Sequence, residues 1–163
     1  EDRLITYHTV NSADRDASQQ LGEDGVASTS SVRVLLVEDN AINQRVAVLM
    51  LKQLGCQVEV AGNGKIAAGM CQTDDYDLVL MDCQMPVMDG FEAAQVIRLG
   101  ESPGARVPIV AMTAHTGVED RDNCLAAGMD DFLSKPVTKH ALKRLLEFWT
   151  SPSGVAERDD WKT

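Results

Sequence analysis

The chain has 163 residues, 25 acidic side chains against 15 Lys and Arg, and a formal net charge of −10, so it suits one ordinary domain with flexible ends. Without a basic cluster it is excluded from nucleic-acid binding by bulk electrostatics, because a phosphate backbone requires grouped Lys and Arg. Cys56, Cys71, Cys83 and Cys124 form no C-x-x-C pair, which argues against a zinc site or disulfide scaffold and for a reducing, cytoplasmic setting; no apolar run approaches the roughly 20 residues of a membrane span, and no signal pattern opens the sequence.

Residues 1–31 are predicted to be a flexible linker. Ser, Asp, Gln and Gly dominate from His8 to Ser31, and so few large apolar side chains cannot offset the entropy of ordering. With no methionine before Glu1, the sequence is expected to belong to a longer polypeptide. From Val32 the texture changes. VRVLLV suits a strand buried on both faces, and EDNAINQRVAVLMLKQLG then carries apolar residues at helical spacing until Gly55 stops the helix. QVEVA, a helix from about Lys65 to Cys71, DLVLM, a helix from about Phe91 to Leu99 and VPIVAM follow in turn. A fourth helix over about Val118 to Ala127 ends at Gly128, DDFLS supplies a fifth strand, and Thr138 caps a last helix reaching about Trp149. This alternation predicts an α/β domain over residues 32–150, with a doubly wound, five-stranded parallel sheet and helices on both faces. Residues 151–163 are predicted to be a polar C-terminal tail.

In such a sheet, function collects beyond the carboxyl ends of the strands. The first strand runs into Glu38 and Asp39 and the third into Asp82, while the fourth delivers Thr113 and the fifth Lys135, followed by Pro136. Any one of these acids alone is more often a turn former or helix cap. Together they are a costly cluster of like charges that a divalent cation would relieve. All-oxygen ligands select a hard ion, and a few carboxylates with a carbonyl and waters suit octahedral Mg²⁺, for which Mn²⁺ should substitute. One carboxylate could then attack phosphorus to give an acyl phosphate, with Lys135 and the Thr113 hydroxyl bonding the phosphoryl oxygens.

The motifs VEDN, MDCQMPVMDG, MTA and SKP, in this order and at these strand ends, resemble the receiver domain of response regulators, and the wording is most similar to receivers attached to hybrid sensor histidine kinases. The resemblance implies a flavodoxin-like fold of receiver type and a place in a two-component phosphorelay. It makes Asp82 the phosphoacceptor for a kinase phosphohistidine, with Asp39, Asp82 and the backbone carbonyl of Gln84 as direct Mg²⁺ ligands and Glu38 holding the ion through water. It further implies that Thr113 and Lys135 bind phosphate, that Phe132 is the switch aromatic and that a cis peptide bond precedes Pro136. The implied partners are a histidine kinase phosphohistidine domain and a histidine phosphotransfer protein, with no direct membrane contact by this domain. Such a domain promotes its own phosphorylation and dephosphorylation without being a turnover enzyme by itself.

Competing readings carry their own signatures. An FMN-binding flavodoxin-like module should have a hydroxyl- and glycine-rich phosphate loop where this chain has two acids. A haloacid dehalogenase-type phosphatase needs a general-acid aspartate two residues past its nucleophile, where this chain has Gln84. A docking-only pseudo-receiver would not need Glu38, Asp39, Asp82, Thr113 and Lys135 intact. Cys83 is expected to be a buried apolar filler on the side of the chain opposite Asp82.

Overall fold

The computed structural model describes residues 31–151. The predicted linker, but for its last residue, and the predicted tail, but for its first, lie outside them. Five parallel strands, β1 (Arg33–Val37), β2 (Gln57–Ala61), β3 (Leu78–Asp82), β4 (Ile109–Thr113) and β5 (Asp131–Ser134), stand in the order β2-β1-β3-β4-β5. Between and after them run α1 (Ala41–Gln53), α2 (Gly64–Thr73), α3 (Gly90–Gly100), α4 (Val118–Ala126) and α5 (Lys139–Thr150). The strand order reverses at β1, which leaves a crevice beyond the carboxyl ends of β1 and β3.

Alternation along the strands builds two cores. Leu35, Val37, Val79 and Met81 point to one face, packed with Ala67, Ala93, Ile97 and Cys124. Val34, Leu36, Leu78 and Leu80 point to the other, against Leu51, Leu142, Leu146 and Trp149. Because both faces are covered, the central strands read as near-continuous apolar runs.

Helix starts follow their capping chemistry. The Asn40 side chain accepts from the backbone N–H groups of Ile42 and Asn43, a cap not assigned from the sequence, and Thr138 accepts from Ala141 N–H as the sequence predicts. The second helix is longer than the predicted Lys65 to Cys71, because Asn63 caps it one residue earlier through Ile66 N–H and its last turn continues to Thr73. A capping box of Asp89 and Glu92 opens α3. By contrast, α4 has Gly117 at its N-cap with no side-chain cap and buries only Cys124 within its span, so it is the helix with the weakest local anchors.

Two features fix the β3–α3 connection. A Cβ on Gly90 would collide with the Asp82 carbonyl oxygen and meet Cys83 Cα and Met81 Cγ at 3.0 Å, so only glycine lets α3 start this close to β3. Val87 adopts φ of 76°, a strained conformation for a β-branched residue, and leaves its side chain 79% exposed.

Candidate functional site

Strand register delivers the acids. Val37 pairs with Met81, so the next residues, Glu38 and Asp82, emerge side by side at the crevice. One carboxylate oxygen each from Glu38, Asp39 and Asp82 lies within 4.8 Å of the others. Glu38 and Asp82 are buried, 3% and 4% exposed, while Asp39 faces solvent. Two buried acids this close need a counter-charge, and Lys135 provides it, with Nζ 3.0 Å from Asp82 Oδ1 and 3.2 Å from Glu38 Oε2. Burial alone would lower the Lys135 pKa, but its hydrogen bonds to and the charges of Asp82 and Glu38 outweigh that and raise it above the usual lysine value.

The remaining bonds orient these carboxylates. Gln84 N–H donates to Asp82 Oδ1 at 3.1 Å, which turns the Cys83–Gln84 backbone over the acid. Glu38 Oε1 accepts from Asn40 N–H at 3.1 Å and from the Asn43 side-chain amide at 3.3 Å, and the Gln44 side chain holds the Glu38 carbonyl at 2.6 Å. Sequence reasoning assigned no role to Asn43 or Gln44. The available signal was their position in the first turn of a helix that begins directly after the acidic pair, where side chains reach back toward the preceding loop.

Thr113 lies across the crevice at the end of β4, next to Ser134 in register, and its hydroxyl is occupied locally: it donates to the His115 carbonyl and accepts from the His115 N–H, both at 3.0 Å. The His115 side chain is exposed. The Lys135–Pro136 peptide bond is cis. Phe132 is half-buried on β5, beneath the Arg121 guanidinium of α4 at 5.8 Å from the ring centroid. Cys83 is buried on the face opposite the acids, in the same core as Cys124 of α4; burial first, then Cys124, pushes its thiol up to about 12. Away from the crevice, buried Asp130 bonds Arg98 at 2.7 Å, Arg106 at 2.8 Å and Ile109 N–H at 2.9 Å, a structural network that sequence reasoning also missed.

Oxygen donors at a topological switch point, with a lysine across them, have the chemistry to hold a hard cation and a phosphoryl group. In agreement, the family model for the response regulator receiver domain matches residues 34–147. The chain belongs to this family, and it is similar to the receivers of hybrid histidine kinases that work in two-component phosphorelays. It is 40% identical over 154 residues to Histidine kinase 5 of Arabidopsis thaliana, covering 79% of this chain but 17% of that kinase. The receiver domain of the sensor histidine kinase PA1611 from Pseudomonas aeruginosa PAO1, solved with a magnesium ion coordinated in its active-site cleft, superposes with a TM-score of 0.68 at 45% identity over 74% of this chain and 98% of that one. The receiver domain of Ssk1, solved with the Saccharomyces cerevisiae histidine phosphotransfer protein Ypd1, matches with a TM-score of 0.68 at 35% identity over 73% and 88% of the two chains. Among the described residues, no helix is long and apolar enough to cross a membrane.

Proposed function

We propose that Asp82 accepts a phosphoryl group from the phosphohistidine of a kinase and passes it to a histidine phosphotransfer protein. The observation that carries this reading is the buried Asp82 carboxylate, aimed into the switch-point crevice with Lys135 Nζ at 3.0 Å and two further acids beside it. An oxygen of Asp82 attacks phosphorus as the P–N bond to imidazole breaks; the bonding pair stays on the imidazole nitrogen, and an acyl phosphate forms.

The donor set fits Mg²⁺, since the three clustered carboxylates offer only oxygen. In this reading Asp39, Asp82 and Gln84 hold the ion directly and Glu38 holds it through water, with Mn²⁺ as a substitute. When bound, the ion neutralises charge on the phosphoryl oxygens and the acid cluster. Lys135 pairs with a phosphoryl oxygen, and the Thr113 hydroxyl exchanges its His115 carbonyl for another. Movement of Thr113 leaves space that Phe132 rotates inward to fill, and the weakly anchored α4 adjusts with it.

The partner reading draws on the surface beside the site. Ile42, Val46 and Leu49 lie at helical spacing along α1 with exposures of 71%, 51% and 60%, and Val46 lines a groove of 420 Å³ whose other walls include Met50, Met112 and Val137 together with Glu38 and Lys135. A helical partner with an apolar face would cover them while presenting its histidine at Asp82. The cytoplasmic part of a sensor kinase is the setting this reading requires.

The test is incubation with acetyl phosphate and Mg²⁺ followed by peptide mapping of the modified residue. Modification should fall on Asp82 and vanish in Asp82→Asn. Labelling of Asp39, or undiminished labelling of the variant, would reject the assignment.

A further inference from the structure

Glu38 differs from its neighbours in how it is held. It is 3% exposed, and both carboxylate oxygens are engaged: Oε2 by Lys135, and Oε1 by Asn40 N–H at 3.1 Å and the Asn43 side-chain amide at 3.3 Å. Asn43 is the third residue of α1. In a capping box the side chain at that position accepts the N-cap N–H. In this chain the N-cap N–H of Asn40 goes to Glu38 instead, and Asn43 donates to the same oxygen. The helix does not need that donation, because the Asn40 side chain already caps the N–H groups of Ile42 and Asn43 at 2.9 and 3.1 Å. Its beneficiary is the carboxylate. A glutamate has one more rotatable bond than an aspartate, so an acid meant to receive an ion-bound water gains more from an outer donor that fixes its orientation.

Resting on the metal-site reading above, we infer that Asn43 is a positioning residue for that site, holding the Glu38 carboxylate in the orientation that receives a water of the bound cation. Asn43 is exposed and alanine favours helix more than asparagine, so Asn43→Ala leaves the metal-free fold intact. The experiment is calorimetric titration of the full chain with Mg²⁺, with thermal melting in the absence of metal, for the wild type, Asn43→Ala, Asn43→Gln and each Asn43 state combined with Glu38→Ala.

The Kd for Mg²⁺ should rise about fivefold in Asn43→Ala and recover in Asn43→Gln, with metal-free Tm held within about 2 °C. In the Glu38→Ala background the Asn43→Ala effect should disappear, since its acceptor is gone. Unchanged affinity in Asn43→Ala overturns the inference. So does a loss that persists without Glu38 or follows a fall in metal-free Tm, because either outcome makes Asn43 a structural cap alone. Absence of Mg²⁺ binding by the wild type would instead reject the metal site itself.

Discussion

Replacing Lys135 by methionine removes the ammonium that bridges Asp82 and Glu38 while keeping much of the side chain's apolar stem. At 3.0 and 3.2 Å each pair is worth about 5 kcal/mol of Coulomb attraction at an effective dielectric of about 20, before desolvation. Desolvation offsets most of that, and the lysine side chain is 25% exposed, so the net destabilisation is expected to be about 2 kcal/mol, from two buried acids left without a counter-charge. For a domain of about 120 residues this lowers Tm by roughly 8 °C. Saturating Mg²⁺ should restore part of the loss, because the cation supplies the missing charge to the same carboxylates. Linkage then fixes a second number: each 1 kcal/mol that Mg²⁺ restores must appear as about fivefold tighter Mg²⁺ binding by the variant. Melting in urea with and without Mg²⁺, paired with calorimetric titration, closes this cycle. An equal Mg²⁺-induced stabilisation in both proteins, or a variant more stable than the wild type without metal, would refute the electrostatic reasoning.

Thr113→Ala should still be modified at Asp82 but should lose much of the NMR shift change at Phe132 and along α4, since the hydroxyl now bonded to His115 would have no counterpart to move toward the phosphoryl group. Identical shift patterns in the two proteins would break the link between Thr113 and Phe132. Gly90→Ala is expected to cost about 2–3 kcal/mol, because the added Cβ strikes the Asp82 backbone rather than a flexible side chain; chemical denaturation measures the loss, and a neutral result would show that α3 can withdraw freely from β3. Cys71 is only partly exposed, and burial first, then Glu101, pushes it up to about 11 from 9.0. Its thiolate fraction at neutral pH should therefore be about a hundredfold below that of an unperturbed thiol. Alkylation monitored by mass spectrometry should keep accelerating as pH rises through 9 toward 11, and a plateau near 9 would contradict the shift.

The candidate site residues were legible as a set because in a parallel sheet they sit where an apolar run stops. Glu38, Asp39, Asp82, Thr113 and Lys135 each end or follow such a run, and parallel pairing brings those ends to one edge. The helix cap at Thr138 was equally local, being set within four residues of chain, whereas the Asn40 cap was read only from the structure. The sequence by itself thus pointed to the three acids and Lys135 that meet at the crevice and, through VEDN, MDCQMPVMDG, MTA and SKP, to the family resemblance. Only the tertiary structure decided how those groups are held. Which Glu38 oxygen faces Lys135 and which faces Asn43 depends on a lysine 97 residues away and on the exit angle of α1. The contact of Cys83 with Cys124, the buried Asp130 between Arg98 and Arg106, and the strained turn at Val87 likewise join segments whose spacing carries no periodic signal. Hydrophobic alternation records which face a residue takes, whereas hydrogen-bond partners across elements depend on packing distances of a few tenths of an ångström, which emerge only after the sheet and helices have docked.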